Sequence, residues 1–127
     1  MPLRLVLIGA YLCLWPGFAH ADGDVQAGAQ VFKKCGGCHT ASEPANRVGP
    51  SLMGVVGRPV AIFAGYGYSD AMKAFGADGK VWDENLLGEY LLSPKTMVTG
   101  TKMSFPGLKR PQDIENVIAY LKIIATK

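Results

Sequence analysis

The pentapeptide Cys-Gly-Gly-Cys-His at residues 35–39 constrains this chain more than any other stretch. Two thiols three positions apart, followed directly by an imidazole, form the attachment pattern of a c-type haem. On a helical turn Cys35 and Cys38 would project to one side, where each sulfur can bond to one vinyl group of the haem. His39 can then place a ring nitrogen on the iron, as proximal histidines do. The motif therefore predicts one covalently bound haem c.

The same two cysteines leave another reading open, because a Cys-x-x-Cys pair also occurs in thioredoxin-like redox proteins. That class needs a βαβ pattern, and no alternation typical of strands is visible in this sequence. Titration of free thiols would separate the two readings, since sulfur in a thioether bond cannot react.

Residues 1–21 are predicted to be a signal peptide. Arg4 gives a basic start, an apolar run follows from Leu5 to Phe18, and Ala19-His20-Ala21 is a small-x-small cleavage site. The run is shorter than the roughly 20 residues of a spanning helix; an uncleaved anchor is the alternative. The predicted domains are a signal peptide, 1–21, and one exported domain, 22–127. Haem attachment outside the cytoplasm then indicates the bacterial periplasm.

Removal of residues 1–21 leaves every cysteine and histidine of the chain within residues 35–39. A four-ligand zinc site of the usual kind therefore cannot be built. The formal charge of +3 is too small to indicate a nucleic-acid partner.

The apolar periodicity predicts an all-α chain of four to five short helices joined by glycine-rich loops. The stretch from Gly36 to Gly67 is punctuated by glycine and proline, and so long a loop makes sense if it packs on a cofactor. The predicted helices run from Asp24 to about Cys35, from a Ser69 cap to Phe75 with Gly76 as the stop, from an Asp83 cap through Leu91, from Pro94 to about Val98, and from Pro111 onward.

A haem iron bound by one histidine needs either a sixth ligand or an open face. Methionine sulfur is the available soft donor, and His/Met ligation raises the reduction potential. Met53, Met72 and Met97 are predicted to fill the core. Met103 instead lies in a loop, residues 100–107, whose glycines and proline fix the backbone, and it is the predicted ligand.

These features together make the chain similar to the class I c-type cytochromes of mitochondria and the bacterial periplasm, over essentially all of residues 22–127. The matching segments are Gly23-Asp24-Val25 with Gly28 and Phe32, the motif at 35–39, Val48-Gly49-Pro50-Ser51-Leu52, Gly57-Arg58, Gly65-Tyr66-Gly67-Tyr68-Ser69, Trp82, Glu89-Tyr90-Leu91, Ser93-Pro94-Lys95, Gly100-Thr101-Lys102-Met103 and Ile118-Ala119-Tyr120-Leu121-Lys122.

The resemblance implies the small cytochrome c fold wrapped around one haem. It implies thioether bonds from Cys35 and Cys38, and axial ligation of the iron by His39 and Met103. The carbonyl of Pro50 would accept the ring N–H of His39 and so fix the imidazole.

The resemblance also implies roles for polar side chains around the haem. Arg58, Tyr68 and Trp82 resemble the residues that hydrogen-bond a buried propionate, and a fork of donors suits a buried carboxylate. Tyr90 and Thr101 resemble the groups around the methionine sulfur and the second propionate. For each aromatic residue, simple core packing is the alternative.

The implied function is that of a soluble, monomeric one-electron carrier that is not an enzyme and has no small-molecule substrate. Its expected partners are redox proteins, such as a cytochrome bc1-type donor and an oxidase or reaction-centre acceptor. Cations near the haem edge would steer docking; the candidates are Lys33, Lys34, Lys95, Lys102, Lys109 and Arg110. The competing class is a small haem peroxidase or gas sensor, which requires an open sixth position.

Three features bear on how this chain compares with the family. Gly28 is expected at a close crossing of the first and last helices, near Tyr120 or Leu121. The stretch from Ala74 to Lys80 resembles a local insertion, and Met72 stands where many relatives carry an asparagine.

Overall fold

The computed structural model describes residues 23–124, which form five helices joined by long loops. The predicted signal peptide, 1–21, lies outside the described residues, as do residues 22 and 125–127 at the ends of the predicted domain. Within 23–124 no strand forms, and one isolated antiparallel bridge joins Pro59 to Val81. The predicted all-α class is therefore confirmed. The helices are α1 (Val25–Phe32), α2 (Asp70–Phe75), α3 (Glu84–Leu92), α4 (Pro94–Met97) and α5 (Pro111–Ile124).

Capping side chains set the starts of α1, α2 and α3 at the predicted positions. The side chains of Asp24, Ser69 and Asp83 each accept a hydrogen bond from the backbone N–H three residues further on. Each bond satisfies an N–H group that has no partner inside its helix. Gly76 ends α2, as predicted. None of the helices in the described part of the chain is both long and apolar enough to cross a membrane.

The predicted end of the first helix was wrong, because α1 stops at Phe32 and not near Cys35. Two backbone N–H groups, from Cys35 and Gly36, converge on the Phe32 carbonyl at 2.8 and 2.9 Å, and a series of turns follows. Paired glycines at 36–37 disfavour helix because they lose the most backbone entropy. The N–H groups of Cys38 and His39 then both bond to the Cys35 carbonyl at 3.0 Å, so the motif is carried on turns.

Helices α1 and α5 cross at Gly28, as predicted. A Cβ atom at this position would lie 2.0 Å from the Asn116 carbonyl oxygen and 2.8 Å from the Cβ atom of Tyr120. The buried Asn116 side chain accepts a hydrogen bond from the Asp24 backbone N–H at 2.8 Å, which ties the start of α1 to α5. The rings of Phe32 and Tyr120 pack beside the crossing with their centroids 5.4 Å apart. This junction fixes the chain that leads into residues 35–39.

The loop after α2 is held against the segment at 57–60. Backbone hydrogen bonds run from Val60 N to Lys80 O at 2.9 Å and from Trp82 N to Arg58 O at 2.9 Å. The Lys80 ammonium donates to the Phe75 carbonyl at 2.8 Å and lies 4.3 Å from the centre of the Phe75 ring. The stretch that resembles an insertion, 74–80, thus consists of the end of α2 and the loop after it. The hydrogen bonds of this region bring Arg58 and Trp82 to the same side of the molecule.

Candidate functional site

A cavity of ≈ 590 Å³ opens between the motif at 35–39, α3 and the loop at 101–106. This volume is typical of cofactor pockets, which run from roughly 300 to 1,000 Å³. The lining is mainly apolar, with a few polar groups. Every residue that the sequence analysis assigned to the site lines this cavity. These residues are Cys35, Cys38, His39, Pro50, Arg58, Tyr68, Trp82, Tyr90, Thr101 and Met103.

The two cysteines lie at different depths in the cavity wall. Cys35 is partly buried and Cys38 is exposed. Burial raises the pKa of the Cys35 thiol, and the nearby Lys34 ammonium only partly offsets that rise. Thiol–disulfide exchange requires a thiolate, which a lowered pKa would favour. The environment of Cys35 therefore suits a covalent anchor better than a redox thiol.

The His39 ring is held by a carbonyl group. Its Nδ1 atom lies 2.7 Å from the Pro50 carbonyl oxygen. Since a carbonyl can only accept, Nδ1 carries the proton and donates, which leaves the lone pair on Nε2 for a metal. Burial lowers the pKa of His39; the bond to Pro50 raises it in part, and the charge of Arg58 lowers it further. The ring is thus a neutral imidazole with one free donor nitrogen.

Gly49 makes room for this ring. A Cβ atom at position 49 would lie 2.3 Å from Cε1 and 2.8 Å from Nε2 of His39. The Gly49 N–H donates to the Cys38 carbonyl at 2.8 Å, which ties the loop before Pro50 back to the motif. Only glycine allows the backbone to approach the imidazole this closely. No local sequence pattern indicates this role of Gly49, because the approach depends on a contact between residues ten positions apart in the chain.

Met103 lies in the loop at 100–107, as the sequence predicted. Gly100 and Gly107 bound this loop with positive φ angles of 91° and 100°, which glycine adopts readily. The Met103 N–H donates to the Thr101 hydroxyl at 3.3 Å. The Tyr90 hydroxyl donates to the Met103 sulfur at 4.0 Å. The first contact holds the Met103 backbone, and the second holds its sulfur at the cavity wall.

Tyr90 connects the sulfur to the aromatic core. Burial raises the pKa of its hydroxyl to about 12, and a hydrogen bond with Thr101 lowers the pKa in part. The hydroxyl therefore stays protonated at physiological pH and can keep donating to the sulfur. The Tyr90 ring packs on Trp82 with centroids 4.8 Å apart, and Trp82 packs on Phe75 at 5.9 Å. One wall of the cavity is thus a fixed aromatic layer.

Arg58 brings a positive charge to this apolar cavity. Its two terminal nitrogens donate to the carbonyls of Met53 and Ser51 at 3.0 Å each, and its guanidinium lies 4.6 Å from the centre of the Phe63 ring. Burial lowers the pKa of the guanidinium. Among residues 23–124 it forms no ion pair with a carboxylate. A half-buried cation of this kind favours a ligand that brings its own negative charge.

The lining as a whole fits a haem. It offers two thiols, one imidazole nitrogen, two thioether sulfurs (Met72 and Met103), apolar walls and a cation without a carboxylate partner in the described residues. Tyr68 lies beside the cation, and its hydroxyl accepts a hydrogen bond from the Phe63 N–H at 3.2 Å. Trp82 is buried, at 7% exposure. An anionic, mainly apolar ring with one metal centre matches this set of groups.

Several further residues that were not predicted as site residues complete the cavity. Tyr66 and Lys102 line its rim, although they were quoted only as parts of matching segments or as a surface cation. The remaining apolar lining comes from positions such as Leu52, Val55, Leu87, Phe105 and Leu121. No sequence signal distinguishes such lining residues from ordinary core, because both are apolar and partly buried.

Three comparisons with known proteins, by family model, by sequence and by structure, all agree with a haem site. The family model for cytochrome c matches residues 25–124. The chain is 46% identical to a cytochrome c2 of Rhodomicrobium vannielii over 94% of this chain and 93% of that protein. It is 49% identical to a cytochrome c of Gossypium barbadense over 79% of this chain and 89% of that protein. Cytochrome cH from Methylobacterium extorquens superposes with a TM-score of 0.72 at 43% identity, covering 80% of this chain and 99% of the solved one.

Proposed function

Because this chain belongs to the cytochrome c family as a class I c-type cytochrome, we propose that His39 and Met103 are the axial ligands of its haem iron. The protein is an electron carrier with one covalently bound haem c. One observation supports the ligand assignment above the others: both ligands line one cavity, and each makes its own hydrogen bond. His39 donates to the Pro50 carbonyl, and Met103 accepts from the Tyr90 hydroxyl.

The remaining polar groups receive roles by the same reasoning. Cys35 and Cys38 form the two thioether bonds. Arg58, Tyr68 and Trp82 hold one propionate, and Arg58 supplies the charge that the carboxylate needs. Tyr90 and Thr101 hold the sulfur of Met103 and contribute to the second propionate.

The haem supplies the one-electron couple, and the chain holds its two ligands still. Pro50 and Gly49 fix the imidazole, while Thr101 holds the Met103 backbone and Tyr90 holds its thioether. Ligands that do not move between oxidation states keep the reorganisation small. The proposal gives the protein no catalytic role, since no general acid, base or nucleophile is needed.

The optical spectrum of the purified protein tests this proposal. We expect a sharp low-spin spectrum, a near-infrared iron–methionine band in the oxidised form, and no change when carbon monoxide is added to the reduced form. A carbon monoxide shift or high-spin features would contradict ligation by Met103. The peroxidase or gas-sensor reading would then be favoured, because it requires an open sixth position.

We further propose that residues 1–21 are removed and that residues 22–127 function as a soluble monomer in the bacterial periplasm. The carrier exchanges electrons with redox partners. A cytochrome bc1-type donor and an oxidase or reaction-centre acceptor are the partners that we propose.

The six predicted docking cations differ in their contacts. Lys34 and Lys102 line the cavity. Lys109 donates to the carbonyls of Leu92 and Pro106 at 3.2 and 3.1 Å. Arg110 pairs with Asp113 at 3.9 Å, whereas Lys33 and Lys95 are exposed. We propose Lys34 as the main steering cation, because it is exposed and lies at the cavity mouth beside the motif.

Turnover of a partner oxidase is expected to fall as ionic strength rises, because salt screens the attraction between opposite charges. Lys34→Gln should slow turnover roughly two- to fivefold at low salt and converge with the parent at high salt. Lys122→Gln, which removes an equal charge from the pair with Glu84, is the matched control and should have a smaller effect. A flat response to salt, or equal losses in the two variants, would contradict steering through Lys34.

A further inference from the structure

Three side chains are stacked at one wall of the cavity, and two of them come from the stretch that resembles an insertion. The Lys80 ammonium lies 4.3 Å from the centre of the Phe75 ring, and that ring packs on the Trp82 indole with centroids 5.9 Å apart. Trp82 lines the cavity, whereas Phe75 and Lys80 lie outside its lining. We call these three residues the Phe75 stack. Phe75 thus reaches the site through Trp82.

Polar contacts hold Lys80 at the outer end of the stack. Its ammonium donates to the Phe75 carbonyl at 2.8 Å and pairs with the Asp78 carboxylate at 3.0 Å, and 31% of its side chain is exposed. Its backbone carbonyl accepts a hydrogen bond from the Val60 N–H at 2.9 Å. A partly desolvated ammonium is stabilised by an aromatic ring and by the last carbonyls of a helix, and Lys80 contacts both. Lys80 therefore holds the Phe75 ring in one place.

The end of α2 is also fixed against the segment that carries Arg58. A Cβ atom at Gly76 would lie 2.7 Å from the Val60 carbonyl oxygen, so the helix end and this segment are in close contact. The Trp82 N–H of the backbone donates to the Arg58 carbonyl at 2.9 Å. Trp82 is thus held through its backbone by Arg58 and through its ring by Phe75.

The orientation of the Trp82 indole matters because its ring N–H is the proposed donor to a haem propionate. Among residues 23–124 no group accepts a hydrogen bond from this N–H, so it is available to a ligand in the cavity. A hydrogen bond to a carboxylate offsets part of its negative charge, and an apolar layer behind the donor keeps water out. An uncompensated negative charge and entering water both favour the oxidised, more positive iron. Loss of the layer therefore lowers the reduction potential.

We propose that Lys80 and Phe75 are positioning residues, which hold the Trp82 indole toward the propionate and thereby raise the reduction potential of the haem. This inference rests on the proposed role of Trp82 at the propionate. It gives a function to the stretch 74–80, which is the part of the chain that departs most from the family pattern.

A redox titration of the haem-loaded protein tests the Phe75 stack, with the near-infrared band checked in each variant. Phe75→Leu removes the ring without changing the charge, and Lys80→Met removes the ammonium and keeps the stem. Each is expected to lower the equilibrium constant for reduction roughly threefold, a fall of about 30 mV for a one-electron couple. The double variant should fall no further than Phe75→Leu, because Lys80 acts through Phe75. Phe75→Tyr, which keeps the ring, should stay close to the parent.

Lys73→Met is the matched control for the lost charge. Lys73 lies on α2, pairs with Asp70 at 3.6 Å, and has 62% of its side chain exposed. Its loss should leave the equilibrium constant close to that of the parent, because salt and water screen exposed charges. If Phe75→Leu disturbs folding, Lys80→Met still tests the stack, since Lys80 lies in the loop after α2.

The outcomes separate the Phe75 stack from the proposed role of Trp82. Trp82→Phe should lower the equilibrium constant at least as far as Phe75→Leu does. If Trp82→Phe lowers it while Phe75→Leu and Lys80→Met match the parent, the stack is overturned and the role of Trp82 stands. An equal fall in Lys73→Met, or additive falls in the double variant, would also overturn the stack, because charge alone would then explain the effect of Lys80. An unchanged constant in Trp82→Phe would overturn both proposals.

Discussion

Replacing Gly28 with alanine is expected to lower the free energy of unfolding by about 2–3 kcal/mol, because α1 and α5 must move apart to admit one methyl group. The added Cβ would lie 2.0 Å from the Asn116 carbonyl oxygen, which is backbone and cannot rotate away. Alanine favours helix over glycine by about 1 kcal/mol, so the steric cost must also overcome that gain. Denaturant melts of the haem-loaded protein would measure the change.

Gly88 offers the matched control, because it is a helical glycine in α3 that also faces α5. Its added Cβ would lie 3.8 Å from Cγ2 of Ile114, an ordinary contact distance. Gly88→Ala should therefore raise the free energy of unfolding by about 0.5–1 kcal/mol. The two substitutions should have opposite signs. A stabilised Gly28→Ala protein would show that the helices can separate at little cost.

The elements that the sequence predicted best are those with short-range causes. Asp24, Ser69 and Asp83 cap helices because each side chain reaches an N–H group three residues away, within its own segment. The predicted end of α1 lies too far along the chain. Hydrogen-bonded turns continue after Phe32 as far as Gly36, and the sequence pattern of such turns resembles that of a helix.

The site was predictable from chemistry more than from periodicity. Thiol, imidazole and thioether are rare groups, so their order in the chain identified the residues that the structure brings to one cavity. The role of Gly49 was not predicted, since it depends on a contact with His39 that no local pattern records. Long-range contacts of this kind can be identified only when the three-dimensional structure is known.

Met103→Ala should have the largest effect on the redox site. Loss of the sulfur is expected to abolish the near-infrared band, to let carbon monoxide bind the reduced protein, and to lower the reduction potential by roughly 0.1 V or more. The physical reason is that a thioether favours the reduced iron, whereas the oxygen ligand of a water molecule does not. Spectra and a redox titration would report these three changes independently.

Met72→Ala separates loss of a ligand from loss of packing. Met72 lines the same cavity, yet it lies on α2 and packs against the core, so its truncation removes side-chain volume without removing the proposed donor. The Met72→Ala variant should keep the near-infrared band, and its reduced form should still not bind carbon monoxide. Met103→His adds a second comparison: a nitrogen ligand should keep carbon monoxide weakly bound while the band disappears and the potential falls. If Met72→Ala lost the band and Met103→Ala kept it, the sulfur of Met72 would be the ligand, and the Tyr90 hydroxyl would then serve only to hold the Met103 loop.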